Sequence, residues 1–323
     1  MKNSYSNKYI IETGIGLQDV DGLKNSSYFL NETSRYIKGE ITLEELDHIV
    51  NSYYENKPSE KDRTEEADKV SVRIAKIIAE DSFTFSVGQF LSIHKTLFSD
   101  IFQNAGELRT YNFFKKEWVL DGSSVTYGDY RELESTLQYD FEQEKKFTYK
   151  NLSIDEIIEH LAIFFANLWQ IHAFEEGNTR TTAVFFIKYL RSLGFNVTND
   201  IFAKHAWYFR NALVRANYTN VVKGIFEDRS FLEKFLRNLL LNEKNALKNR
   251  DLHVNSNNIE LKNNTKELRI ISLIKDNPKI TSEEIAVSLK VSVRTVKNII
   301  KKMVESDSIK RMNGKKYGYW KII

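Results

Sequence analysis

Apolar positions recur at three- and four-residue intervals along most of the chain, the spacing of one helical face. Val70, Val72, Ile74, Ile77 and Ile78 mark a helix opening at Pro58-Ser59-Glu60 and running to about Glu80. Phe90, Leu91, Ile93, Leu97 and Phe98 mark another near 86–98. Further helices are expected near 23–37, 42–55, 129–146, 154–171, 178–193, 199–216 and 229–248. The run Ile157, Ile158, Leu161, Ala162, Phe164, Phe165, Leu168 is apolar nearly all round, as a buried central helix should be. Phe185, Phe186, Tyr189 and Leu190 continue that core. Two stretches depart from the pattern. Residues 1–20 read as an extended lead-in. Residues 108–127, rich in β-branched and aromatic side chains around Asp121-Gly122, read as a hairpin. His94, on an apolar helix with no ligand motif beside it, reads as a packed or surface histidine.

Residues 249–264 are polar and asparagine-rich, the composition of a linker. Helices over 265–276, 281–289 and 292–304 follow, and Ile309 to Trp320 makes a two-stranded wing. Thr42 with Glu45, and Thr281 with Glu284, have capping-box spacing, and Ser292 opens the third of the last helices. This tail resembles the winged helix-turn-helix family. The resemblance implies that its third helix reads the major groove through Arg294, Thr295, Lys297 and Asn298. Lys301, Lys302, Lys310, Arg311, Lys315 and Lys316 would then meet phosphates. Winged helices also serve as protein-docking or dimer modules, so DNA and protein both stay open as partners.

Composition narrows the classes. With 323 residues, 41% of them hydrophobic and 28% charged, the chain has the make-up of a soluble globular protein of two or three domains. A net charge of +3 does not by itself point to nucleic acid. The absence of cysteine excludes disulfides and thiolate metal sites. No signal peptide or membrane-length apolar run is evident, and a cytoplasmic location is the expectation.

The chemistry gathers in residues 169–191, where two apolar helices flank a polar interruption. Gly177 permits a left-handed backbone and a close ligand. The first amides of the helix that follows lack intrahelical partners and carry the positive end of its dipole, which suits an anion. Asn178 tolerates the same backbone region, and Arg180, one turn on, adds a forked donor for phosphate oxygens. Glu176 is a hard oxygen ligand of the kind Mg²⁺ takes when shared with a polyphosphate. His172 can take a proton from an attacking hydroxyl. Phe174 anchors the loop by burying its ring.

His172, Phe174, Glu176, Gly177, Asn178 and Arg180 match the signature His-x-Phe-x-Asp/Glu-Gly-Asn-Gly/Lys-Arg, and over about residues 60–250 the chain resembles the Fic family. The resemblance implies a mostly α fold, a Fic-type helical bundle with a short β-hairpin flap, beside the C-terminal winged-helix domain. It implies a nucleotidyltransferase that moves AMP from ATP, with Mg²⁺, onto a Ser, Thr or Tyr hydroxyl of a target protein or of itself. His172 would be the catalytic base and Glu176 the metal ligand. Phe174, Gly177, Asn178, Thr179 and Arg180 would hold the nucleotide, with Arg180 steadying the departing pyrophosphate. Ala105-Gly106-Glu107-Leu108-Arg109 precedes the hairpin, where Fic proteins carry a substrate-clamping flap, and Lys115, Lys116 and Trp118 fall on it. Arg210 and Asn211 are candidates for the base or sugar, or for an interhelical hydrogen bond.

Three departures stand out. Ala173 replaces the usual proline, Thr179 replaces Gly or Lys, and Ala183 stands where many members carry a second arginine, a contact for the γ-phosphate. The expected domains are an N-terminal helical segment (1–58), a catalytic domain (59–248), the linker (249–264) and the winged helix (265–323). The N-terminal segment is either a regulatory module or two surface helices. The family's inhibitory helix reads Ser/Thr-x-x-x-Glu-Gly/Asn. The nearest candidates, Asp21-Gly22 and Glu55-Asn56, have Leu17 and Asn51 where Ser or Thr is required. Other readings are a DNA-binding regulator whose Fic domain senses nucleotide or is inactive, and a Fic enzyme that uses another phosphate donor or removes AMP. A homo-oligomer is among the expected assemblies, and a membrane is not among the partners.

Overall fold

The structure is a computed structural model that describes residues 5–55, 63–255, 266–267, 269–275, 277–289, 291–305, 308–312 and 318–322. It divides into two compact units, Met1–His253 and Val254–Ile323.

The first unit is helical. Its members are α1 (Asn7–Leu17), α2 (Ser27–Ile37), α3 (Leu43–Glu55), α4 (Thr64–Ala79), α5 (Val87–Phe98), α6 (Leu133–Lys146), α7 (Ile154–Ile171), α8 (Asn178–Ser192), α9 (Ile201–Ala216) and α10 (Ser230–Leu241). Caps fix several starts. Thr42 and Glu45 exchange the reciprocal hydrogen bonds of a capping box, and so do Ser153 and Glu156 at the head of α7. The centre is α8, buried from Asn178 to Leu190 without interruption. Phe186 stacks on Phe165 of α7 at 3.4 Å between ring centroids, and Phe185 meets Phe90 and Phe141 at 5.5 and 5.4 Å. The apolar run of α7 therefore does pack as a central helix.

Several expectations need correction. Over its described residues the expected extended lead-in is helical: Ser6 caps α1, and a 3-10 turn, Gln18–Asp21, follows it. Two glycines obscured this helix in the sequence, and they let it lie against its neighbours. A Cβ on Gly14 would stand 2.3 Å from the Ser71 carbonyl, and one on Gly16 2.3 Å from the Ala203 carbonyl. The helix expected from residue 23 begins at Ser27, where Ser26 caps it and also donates to the buried Asp68. The helix expected to reach 248 stops at Leu241, because Asn242 turns left-handed at φ 55°. Residues 249–253 belong to the first unit, with Leu252 buried and Asn249 accepting from Asn211. The Pro58 helix start, Asn56 and much of the linker lie outside the described residues.

The hairpin is the largest correction. Residues 108–127 double back at Asp121-Gly122, both at positive φ, and the Glu117 amide donates to Ser123 O. No strand ladder forms there among the described residues. Instead Trp118–Leu120 makes a 3-10 turn that buries Val119 and Leu120. Packing of these apolar side chains against the helices displaced the alternation that a ladder requires.

In the second unit, α11 (266–267 and 269–275), α12 (Ser282–Leu289) and α13 (Val293–Glu305) surround a core of Ile270, Ile274, Ile285, Val296, Ile300 and Met303. Strands β1 (Ile309–Met312) and β2 (Tyr319–Ile322) pair antiparallel, with Ile309 opposite Ile322. The Thr281/Glu284 cap and the Ser292 cap both form. No helix among the described residues is long and apolar enough to cross a membrane.

Candidate active site

The polar interruption between α7 and α8 is a closed loop. His172 ends α7 in the left-handed conformation at φ 51°, a C-cap geometry that turns the chain sharply. Gly177 begins α8 at φ 74°, and a Cβ there would meet the Phe98 ring at 2.4 Å, so both backbone and space require glycine. The Asn178 side chain spans the loop, accepting from the Phe174 amide (2.9 Å) and donating to the Phe174 carbonyl (2.7 Å). Its amide group is thus committed to loop shape. The first helical hydrogen bond runs from the Thr181 amide to Gly177 O, leaving the Asn178, Thr179 and Arg180 amides as the first turn of α8.

Phe174 is buried and stacks on His94 at 3.7 Å. His94 is more than packing. Its Nδ1 accepts from the Gly106 amide (2.8 Å), so Nε2 carries the proton donated to Glu176 O (3.1 Å). One neutral imidazole thereby joins α5, the loop and the Ala105–Arg109 segment. Burial is the main reason its pKa falls to about 4.

Arg109 holds the loop from the other side. Its buried guanidinium donates to the carbonyls of His172 (2.7 Å), Tyr111 (2.7 Å), Ile171 (3.3 Å) and Gly128, and to Asn112 Oδ1. The His172 ring is only 3% exposed. Tyr127 stacks on it at 4.0 Å, while Phe113 and Trp169 meet it at 5.6 and 5.2 Å. Neither ring nitrogen has a hydrogen-bond partner among the described residues. Burial first, then the charges of Lys115, Arg210 and Arg109, hold this imidazole well below its ordinary pKa.

Thr179, the residue in place of Gly or Lys, accepts from Trp169 Nε1 at 2.9 Å and so ties α8 to α7. Glu176 is half-exposed, with Lys115 Nζ 3.5 Å from its carboxylate. Among the described residues no cluster of three or more metal-ligating side chains occurs. A single carboxylate suits an ion held mainly by a polyphosphate rather than a free-standing metal centre.

Arg180 departs from the expected placement. It is 0% exposed and lies over the Phe98 ring at 4.7 Å. Its Nη2 donates to Glu66 Oε1 (2.7 Å) and its Nη1 to Gln18 Oε1 (3.0 Å). Asp21 Oδ2 lies 2.9 Å from Nε, close enough for an ion pair though not aligned as a hydrogen bond. The buried Glu66 carboxylate, the partly exposed Asp21 carboxylate and the buried Gln18 amide thus absorb the fork expected to grip phosphate. Asp21-Gly22 does reach a motif arginine, but it is Arg180; Ala183 is fully buried in α8. Arg210 makes a fork onto Glu117 (2.6 and 2.9 Å), and Asn211 donates to Asn249, so both bind other parts of the chain. A cavity of 600 Å³ lined by Tyr5, Tyr9, Arg191 and Val197 lies at the far end of α8, about 20 Å along the helix from Gly177.

A model of the Fic/DOC family matches residues 84–190, and one described as winged helix-turn-helix DNA-binding matches 263–310. The chain therefore carries a Fic domain followed by a winged helix-turn-helix domain. No curated protein matches it. Solved structures similar to it include the N-terminal Fic domain of a VirB-translocated effector protein from a Bartonella species. That likeness has 17% identity, a TM-score of 0.42 and coverage of 64% of this chain and 91% of that one. A Fic family protein from Desulfovibrio desulfuricans is similar at 13% identity and a TM-score of 0.43, over 98% of this chain and 87% of that one. At such scores neither likeness bears on substrate or mechanism.

Proposed function

We propose that the chain is a protein adenylyltransferase, moving AMP from ATP to a Ser, Thr or Tyr hydroxyl of a target protein or of itself. One observation carries this reading: a buried imidazole with both nitrogens unpartnered stands in the same closed loop as a glycine-opened helix start. The first supplies a base and the second an anion seat.

The phosphates would rest on the first-turn amides of α8, favoured by its dipole. Glu176 would hold Mg²⁺ together with the nucleotide, and the bound ion neutralises charge on the polyphosphate. Phe174 and Asn178 keep the loop in shape, and Arg180 acts from behind by tying α8 to α4 and to the turn after α1. His172, neutral through burial, takes the proton of the acceptor hydroxyl. The acceptor oxygen attacks the α-phosphorus, and the new P–O bond forms as the bond to the β-phosphate oxygen breaks. Pyrophosphate leaves with that electron pair, and His172 returns its proton to solvent. Because Tyr127 and Phe113 cover the ring, the flap segment must move for the acceptor to enter. Positioning and electrostatics supply most of the rate.

Incubation with Mg²⁺, ATP labelled at the α-phosphate and a host lysate tests the reading. Labelled protein whose added mass matches AMP, lost in His172→Ala, is the expected result. A different added mass points to another donor, and loss of a pre-existing AMP mass points to a removing enzyme.

A second reading has its own support in the winged helix. Arg294, Lys297, Asn298, Lys301 and Lys302 are exposed on α13, with Thr295 half-buried. Lys310 is exposed and Arg311 lies over Trp320, while Lys315 and Lys316 lie outside the described residues. On this reading the chain is a DNA-bound regulator whose Fic domain senses nucleotide. Retarded mobility of a defined duplex, weakening steeply with salt, supports it.

A further inference from the structure

The proposed transferase needs a cation for the terminal phosphates of its donor, and α8 does not offer one. Ala183 is a buried methyl, and Arg180 is spent on Glu66, Asp21 and Gln18. Most cations around the loop are committed as well. Arg63 makes a fork onto Glu66 at 2.6 and 2.7 Å, Arg109 is saturated by backbone carbonyls, and Arg210 makes a fork onto Glu117.

Lys115 is different. Its ammonium has three donors and, among the described residues, one loose partner, the Glu176 carboxylate at 3.5 Å; otherwise it lies 5.7 Å from the Phe113 ring. Glu176 sits one residue before the Gly177 helix start, and after burial the Lys115 charge does most to hold the His172 imidazole below its ordinary pKa. In this structure the backbone on either side of it is tethered. The Lys115 amide donates to Ser124 Oγ, and two residues on, Glu117 is pinned by Arg210 and by the Ser123 carbonyl.

We infer that Lys115 is the cation that binds the β- and γ-phosphates of the donor, taking the place of the arginine absent at Ala183. Its contact with Glu176 is a resting partnership, exchanged for phosphate oxygens when nucleotide enters. A lysine does this as a mobile point charge, where an arginine would bind in a fixed fork. Because it comes from the flap, donor binding and flap position are coupled: a nucleotide with its terminal phosphates draws the flap toward the loop.

This inference rests on the adenylyltransferase reading, and a binding experiment separates the two. Calorimetric titration of the full chain with ATP, ADP and AMP, each with Mg²⁺, is compared between the native sequence, Lys115→Met, Lys115→Arg and the neighbouring Lys116→Met. Lys115→Met is expected to weaken ATP at least tenfold, ADP less, and AMP not at all. Lys115→Arg is expected to restore ATP, and Lys116→Met to leave all three unchanged. Equal ATP affinity in Lys115→Met, or an equal loss for AMP, overturns the role of Lys115 while the enzyme reading stands. If the native chain binds none of the three, the enzyme reading fails and the inference falls with it.

Discussion

Arg180 and Glu66 meet at 2.7 Å, and neither side chain has appreciable contact with solvent. Removing one member of such a pair strands a buried charge, which costs about 3–5 kcal/mol. Glu66→Ala should therefore unfold at much lower urea than the native chain. Asp21, at the rim with its side chain 19% exposed, should cost about 1 kcal/mol or less on replacement by Ala. The double variant Arg180→Met/Glu66→Leu should lose less than the sum of the single losses, because no charge is left alone. Additive losses would show that the pair does not act as a unit.

Gly177 combines two demands that substitution separates. Ala at φ 74° carries strain of about 1–2 kcal/mol, and its methyl must also displace the Phe98 ring. Gly177→Ala should be strongly destabilised, and the added change Phe98→Leu should recover the steric part only. Full recovery in the double variant would mean that the left-handed backbone matters little.

What the sequence made legible was local. The capping boxes at Thr42 and Thr281, the glycine start of α8 and the apolar wall of α7 depend on residues within a few positions of one another, and each formed. Partnerships across the chain were not legible. Gln18 and Glu66 lie 162 and 114 residues from Arg180, and His94 lies 82 from Glu176, with no spacing to betray them. From sequence alone the motif arginine thus reads as a phosphate ligand, and His94 as a packed or surface histidine. Helix α1 was missed because two glycines weaken its intrinsic propensity, and only contact with Ser71 and Ala203 gives them a purpose.

Arg109 is held by carbonyls at angles that a planar fork can serve together and an ammonium cannot. Arg109→Lys should lose about 2–3 kcal/mol through unsatisfied buried carbonyls. Because the His172 and Ile171 carbonyls are among those released, transfer activity should fall further than nucleotide affinity. Falls of equal size in kcat and in affinity would mean that Arg109 supports the nucleotide seat rather than the imidazole.

His94 gives the fold a pH dependence whose direction is fixed. Its pKa is about 4 in the folded chain against 6.5 ordinarily, with burial as the leading cause. The unfolded chain therefore takes up a proton below pH 6.5 that the folded chain refuses until about pH 4. Stability is fully present above 6.5, is lost as pH falls through that window, and changes no further from this group below it. Linkage puts the loss at about 3 kcal/mol. His172, also held low by burial, adds to it in the same direction. Urea unfolding at pH 7 and pH 5 should show a marked drop for the native chain. In His94→Gln the drop should be smaller, from a lower starting stability at pH 7. A drop of the same size in both would mean that His94 is not the group refusing the proton.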